Sequence, residues 1–132
     1  MSEFKFEKLE VWQLSLEYID KCYAFADQLP KREEFNLQSQ LVRAATSVAL
    51  NIAEGSTSQT DAEQARFLGL SLRSLVETVA CRRLAQRRYY TDVLKANLPT
   101  DGEEQLAVKL FAKLQAMRRV LRKGKQPSVR SQ

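Results

Sequence analysis

A chain of 132 residues with 44% hydrophobic side chains but only 4 Gly and 3 Pro suits one domain with one core, and it lacks the breakers that the frequent turns of a sandwich or barrel require. No histidine is present, and the two cysteines, Cys22 and Cys81, have no C-x-x-C spacing. These features exclude Ser-His and Cys-His nucleophilic pairs, a redox motif and a zinc ribbon, and they predict buried free thiols. The net charge of +5 is uneven: residues 1–80 carry 8 Lys+Arg against 12 Asp+Glu, and residues 81–132 carry 13 against 4.

The first predicted helix runs from Phe6 to Leu29 and stops at Pro30. It carries two apolar stripes. Leu9, Trp12, Leu16, Ile19, Tyr23 and Ala26 recur at steps of three and four and are expected to face the core. Val11, Leu14, Tyr18, Cys22, Phe25 and Leu29 lie about 200° around the same helix. One buried face satisfies a bundle helix, so the second stripe, with Val11, Leu14, Tyr18, Phe25 and Leu29 as its main residues, is expected to form a subunit interface, the alternative being a broad core face with a few exposed aromatics.

The second helix is predicted over Leu37 to Glu54, closed by a left-handed Gly55. Leu41, Ala45, Val48 and Ile52 form its stripe. Ala44, Ala45, Ser47, Ala49 and Ala53 permit close helix approach, and the Asn51 amide needs a partner if buried.

Thr60-Asp61-Ala62-Glu63 reads as a capping box opening the third helix. Its stripe of Leu68, Leu72, Leu75 and Val79 runs on to Arg82 and Arg83, where packing residues belong, so either the core ends there or these guanidiniums line a special surface. Arg87, Arg88, Tyr89 and Tyr90 follow. A loop over residues 97–102 leads to the fourth helix, Glu103 to Lys123, with a stripe of Ala107, Leu110, Leu114, Met117 and Leu121. Lys109, Lys113, Arg118, Arg119, Arg122 and Lys123 fill most of its remaining circumference, some of them suited to the negative helix end. Residues 1–123 therefore read as the domain, and residues 124–132, with Lys125, as a flexible basic tail. No apolar run is long enough to span a bilayer, and the N-terminus has no basic-then-apolar leader, which points to a cytoplasmic protein with no membrane partner.

Leu9-Glu10-Val11-Trp12-Gln13, Leu29-Pro30, Phe35-Asn36-Leu37, Gln40-Leu41, Arg43-Ala44-Ala45, Ser47 and, most specifically, Asn51-Ile52-Ala53-Glu54-Gly55 together resemble the 23S rRNA intervening-sequence protein family. That four-helix-bundle family includes the accessory variability proteins of diversity-generating retroelements. The resemblance spans about residues 6–122. It implies an all-α, up-and-down antiparallel four-helix bundle assembled as a ring-shaped homopentamer, and for retroelement members a basic barrel that binds nucleic acid and a reverse transcriptase without catalysing the copying. Three departures stand out: apolar family positions are arginine at Arg82 and Arg83, the usual proline of the second helix is Ala49, and Asn36 replaces a common glycine.

Arginine suits phosphate because its planar fork donates two hydrogen bonds and stays charged. Arg82, Arg83, Arg87, Arg88, Arg118, Arg119, Arg122, Lys123 and Lys125 are accordingly the candidate nucleic-acid contacts, for RNA or an RNA–DNA hybrid, with Tyr89 and Tyr90 either stacking on bases or packing at the helix end. The alternative is a protein–protein scaffold whose charge is ordinary solvated surface. Glu54 and Glu77 could form half of a carboxylate metal site, but without histidine a structural role is the better reading. The sequence thus predicts no catalytic residue, metal or cofactor.

Overall fold

In the computed structural model, which describes residues 4–89 and 101–123, four helices account for most of the chain and no strand occurs among the described residues. They are α1 (Glu10–Ala26), α2 (Leu37–Gly55), α3 (Asp61–Arg88) and α4 (Asp101–Lys123). Helix α1 packs on α2 and α4, and α3 packs on α2 and α4, so α1 and α3 stand diagonally across the core. Cross-helix bonds give the directions. Ser71 and Ser74 of α3 meet Val48 and Ser47 of α2, Lys113 of α4 meets Glu10 of α1, and Arg118 of α4 reaches Ala65 of α3. Neighbours run antiparallel, and the bundle is up-down-up-down.

Helix α1 is entered through a 3-10 turn, Lys5–Lys8, whose Phe6 packs edge-on against Trp12 with ring centroids 4.6 Å apart. The helix buries Val11, Leu14, Tyr18, Cys22 and Phe25, and Leu29 just beyond it is buried too. Trp12 and Ile19 are only partly covered, while Leu16 and Tyr23 are exposed. The second stripe, Val11, Leu14, Tyr18, Phe25 and Leu29, therefore forms the intramolecular core rather than a subunit interface, and of the first stripe only Ala26 is buried with it. Both stripes repeat with coiled-coil spacing, so periodicity identified them equally well. The inward one is selected by Tyr18, whose hydroxyl has a buried partner on the diagonal helix.

The α1–α2 connection contains a second 3-10 turn, Lys31–Glu33. Asn36, in place of the common glycine, stands at φ −131° and does not use a left-handed conformation. Instead the buried Glu33 carboxylate starts α2, accepting from the Leu37 backbone N–H at 3.3 Å and from Asn36 Nδ2 at 3.0 Å. A negative charge there suits the helix N-terminus. The Tyr89 hydroxyl, which donates to Glu33, holds this carboxyl below its usual range, with help from the Leu37 N–H. Tyr89 itself is buried, bonded by Arg32 Nε at 3.2 Å and covered by the Arg32 guanidinium 5.2 Å from its ring centre. It closes the end of α3 and leaves no face for a base. Tyr90 lies outside the described residues.

Helix α2 runs unbroken through Ala49, and Asn51 Nδ2 donates to the backbone O and Oγ of Ser47 at 2.9 and 3.0 Å. Gly55 is helical and buried, not a left-handed cap. A Cβ on it would lie 2.9 Å from Phe67 Cβ, so glycine is needed there for close approach of α2 and α3. Half of the expected capping box of α3 forms: the Glu63 N–H donates to Thr60 Oγ1 at 3.1 Å, while Glu63 Oε1 accepts from the Gln59 N–H, one residue before the cap, at 3.4 Å. Helix α3 then continues to Arg88, and α4 begins at Asp101, two residues before the predicted start. The tail with Lys125 lies outside the described residues.

Replacing Gly55 with alanine gains helix propensity but forces two backbone-anchored carbons apart. The expected net loss is about 1–2 kcal/mol, measured by urea denaturation; an unchanged or raised midpoint would show that the α2–α3 approach is not limiting.

Candidate nucleic-acid interface

Arg82 projects from α3 into the core and is 1% exposed. Its Nη2 donates to Tyr18 Oη at 3.1 Å and its Nη1 donates to Glu104 Oε1 at 3.0 Å, while Glu103 Oε2 stands 3.7 Å away. The Thr78 hydroxyl donates to the Leu75 carbonyl at 2.6 Å, so Tyr18, 2.8 Å from Thr78 Oγ1, must be the donor to that oxygen while accepting from Arg82. Burial pushes the Tyr18 hydroxyl and the Cys22 thiol each up to about 12, which leaves both protonated and the thiol unreactive. One cluster thereby joins α1, α3 and α4 at one end of the bundle. Arg82 is a core ion and not a phosphate contact, and this corrects the reading of it as a surface residue. The arginine on a core stripe does mark a special place, but its partners are the two glutamates that open α4.

Glu103 is wholly buried, and neither carboxyl oxygen has a hydrogen-bond partner among the described residues. Desolvation drives its carboxyl up to about 7 despite the nearby Arg82 charge. Glu104 is half-exposed and serves two arginines. Besides Arg82 it takes a two-pronged contact from Arg83, at 3.0 and 2.8 Å, so the Arg83 charge is neutralised where it emerges. Arg87 and Arg88 are exposed at the same end.

The other predicted basic residues converge at the opposite end of the bundle. Arg118 lies across α3 directly over Gly69, where a Cβ would come 3.1 Å from its guanidinium, and Arg118 Nε donates to the Ala65 carbonyl at 3.1 Å. Arg118 thereby sits where three clefts meet. One, about 580 Å³, is lined by Arg66, Arg73, Arg118, Gln115 and the apolar Leu70, Val76 and Phe111 among others; a second, about 360 Å³, adds Ala62 and Arg122; a third, about 230 Å³, adds Arg119 and Lys123. Among the described residues no acidic side chain lines any of the three. Arg66, Arg73, Arg119, Arg122 and Lys123 are exposed.

A sequence pass missed Arg66 and Arg73 as part of this surface. Their spacing around Gly69, three before and four after, puts all three on one helical face, and that was the available signal. The predicted set thus divides: Arg118, Arg119, Arg122 and Lys123 share one surface, Arg83, Arg87 and Arg88 lie at the far end, and Arg82 is internal. Glu54 and Glu77 are exposed and make no ion pair among the described residues, and no group of three or more potential metal ligands occurs among them.

The family described as 23S rRNA-intervening sequence protein matches residues 7–119, covering all but the ends of the bundle. The chain belongs to that family. No curated protein matches it. This 23S rRNA-intervening sequence family member is a four-helix bundle with a polar cluster at one end and arginine-lined clefts at the other. No helix among the described residues is long and apolar enough to cross a membrane.

The folded Glu103 carboxyl, at about 7, lies above its ordinary value of 4.5. The native state therefore holds the proton more tightly than the unfolded chain, and this group's stabilisation is full below about pH 4.5 and is lost as pH rises towards 7. Glu103→Gln is expected to flatten that dependence and to raise stability at pH 8 by about 1–3 kcal/mol in urea titrations. A loss at pH 8 would mean that the ionised carboxylate is a net-favourable partner for Arg82.

Proposed function

We propose that the chain is a non-catalytic, self-associating nucleic-acid scaffold, the accessory variability protein of a diversity-generating retroelement, acting in the cytoplasm on template RNA and its reverse transcriptase. The observation that carries this reading is the acid-free surface around Arg118. Six cations, Arg66, Arg73, Arg118, Arg119, Arg122 and Lys123, line adjoining clefts on α3 and α4 with no carboxylate among them. Solvated charge normally mixes signs, as at the far end where Glu104 holds Arg83. An unmixed surface is what a polyanion selects, because each phosphate neutralised releases a condensed counterion. Fixed phosphate contacts of this kind position the backbone and carry little sequence preference. A ring of five copies, the assembly that the family resemblance implies, repeats the surface fivefold and turns a modest site into an extended field. With no histidine in the chain, the reading assigns the chemistry to the reverse transcriptase and leaves this protein the task of holding RNA beside it.

In mobility shifts across a salt series, the intact protein should bind RNA at physiological salt with an affinity that falls steeply as salt rises. The triple variant Arg118→Gln, Arg119→Gln, Arg122→Gln should bind at least tenfold more weakly, with a log–log salt slope shallower by about 2 on the basis of three lost contacts to single strands. Arg83→Gln, which removes a charge already neutralised by Glu104, should change neither. Absence of RNA binding at physiological salt would overturn the nucleic-acid role and leave a protein-only scaffold.

A further inference from the structure

Phe35, in the connection between α1 and α2, is 90% exposed, more than any other large apolar side chain among the described residues. It adds little to the core at that exposure, yet the turn that carries it is closely bonded. Three-residue backbone bonds run through the connection at 2.9–3.0 Å: Glu33 N–H to the Pro30 carbonyl, Glu34 N–H to Lys31 and Asn36 N–H to Glu33. In such 3-10 geometry residues three apart line up on one face. The Asn36 amide, bonded to the Glu33 carboxylate, has that alignment. By the same rule Phe35 stands in line with Arg32, and Glu34 with Lys31. From beneath, the buried Glu33 carboxylate pins the turn by accepting from Tyr89, Asn36 and the Leu37 N–H. The Phe35 ring is therefore held out to solvent from a fixed support.

We infer that Phe35 is a stacking platform for an unpaired base of single-stranded RNA, with the cations around it holding the flanking phosphates; the inference rests on the nucleic-acid role proposed above and adds a separate contact at the end of the bundle away from Arg118. The surroundings favour a strand over a protein partner. The Arg32 guanidinium lies 5.2 Å over the Tyr89 ring, so a guanidinium plane and two aromatic rings gather at one place. Unpaired bases stack on both kinds of surface. Lys31, Arg32, Arg87 and Arg88 are exposed, and none has an ion-pair partner among the described residues. Arg88 is near enough to Glu33 for its charge to help lower that carboxyl, so the end of α3 and the turn share one neighbourhood. Of the two acids in the turn, Glu33 is taken up by its buried hydrogen bonds, and the exposed Glu34 is aligned with Lys31 and not with Phe35. Every base has a π-face, so the ring distinguishes a single strand, whose bases are free to splay out, from a duplex, and it carries little sequence preference.

The test uses the full chain and a single-stranded RNA of about 12 nucleotides, with a duplex of equal length as the control. In mobility shifts Phe35→Ala and Phe35→Leu should each bind the single strand about tenfold more weakly than the parent protein and bind the duplex as the parent does. Their salt slope should not change, because no charge is lost, whereas Arg87→Gln with Arg88→Gln should make the single-strand slope shallower by about 1. Trp12 is the only tryptophan, so Phe35→Trp in a Trp12→Phe background puts a reporter on the platform, and its fluorescence should be quenched by the single strand and not by the duplex. Parent-like binding of the single strand by Phe35→Ala would overturn the inference while leaving the Arg118 surface intact, and would make Phe35 an anchor for protein. A leucine that binds as well as phenylalanine, or equal losses on single strand and duplex, would also overturn it, the first by replacing stacking with plain apolar contact and the second by making the residue structural. Should the alanine and leucine variants melt early, the tryptophan reporter decides, and no quenching by the single strand overturns the inference. A parent protein that binds no RNA would overturn the nucleic-acid role itself, and this platform with it.

Discussion

One buried charge organises this bundle. A guanidinium removed from water is costly, and the cost is tolerated only when its donors find acceptors and a counter-charge. Arg82 meets that demand with the Tyr18 hydroxyl across the core and the carboxylates that begin α4. The consequence is geometric, because the position of α1 relative to α3, and the point at which α4 enters, are both fixed by where those partners must sit. The compensation is also incomplete. Arg82 Nε and both Glu103 oxygens remain without hydrogen bonds. A sheltered carboxyl pushed up to about 7 beside a permanent cation makes this end of the bundle sensitive to pH.

Local chemistry was legible from the residues alone. The Thr60 side chain caps the Glu63 N–H a few positions away as read, and the core stripes of α2, α3 and α4 follow from period and composition. Features that depend on a distant partner were not legible. Both stripes of α1 have the same spacing, and only the placement of Thr78 and Arg82 on α3 decides which turns inward. Gly55 sits where a cap is common, but its role is set by Phe67 on the next helix. Arg82 looked like a surface group because no sequence rule couples it to Glu103 and Glu104 some twenty residues later. The Arg118 surface was half visible: the α4 cations were marked, but Arg66 and Arg73 joined them only when α3 and α4 came together around Gly69.

Charge is thus sorted by position along the bundle. At one end arginines are spent internally, with Arg82 buried and Arg83 held by Glu104. At the other, cations from two helices line adjoining clefts with no carboxylate among the described lining residues, which is the arrangement a phosphate backbone can exploit.

The sorting of arginines is tested most directly by modifying them with phenylglyoxal, with and without bound RNA, and reading each site by mass spectrometry. Arg118, Arg119 and Arg122 should react in the free protein and become protected by RNA, while Arg82 stays unreactive in both states until the protein is unfolded. An Arg82 that reacts in the native protein and is shielded by RNA would contradict the account.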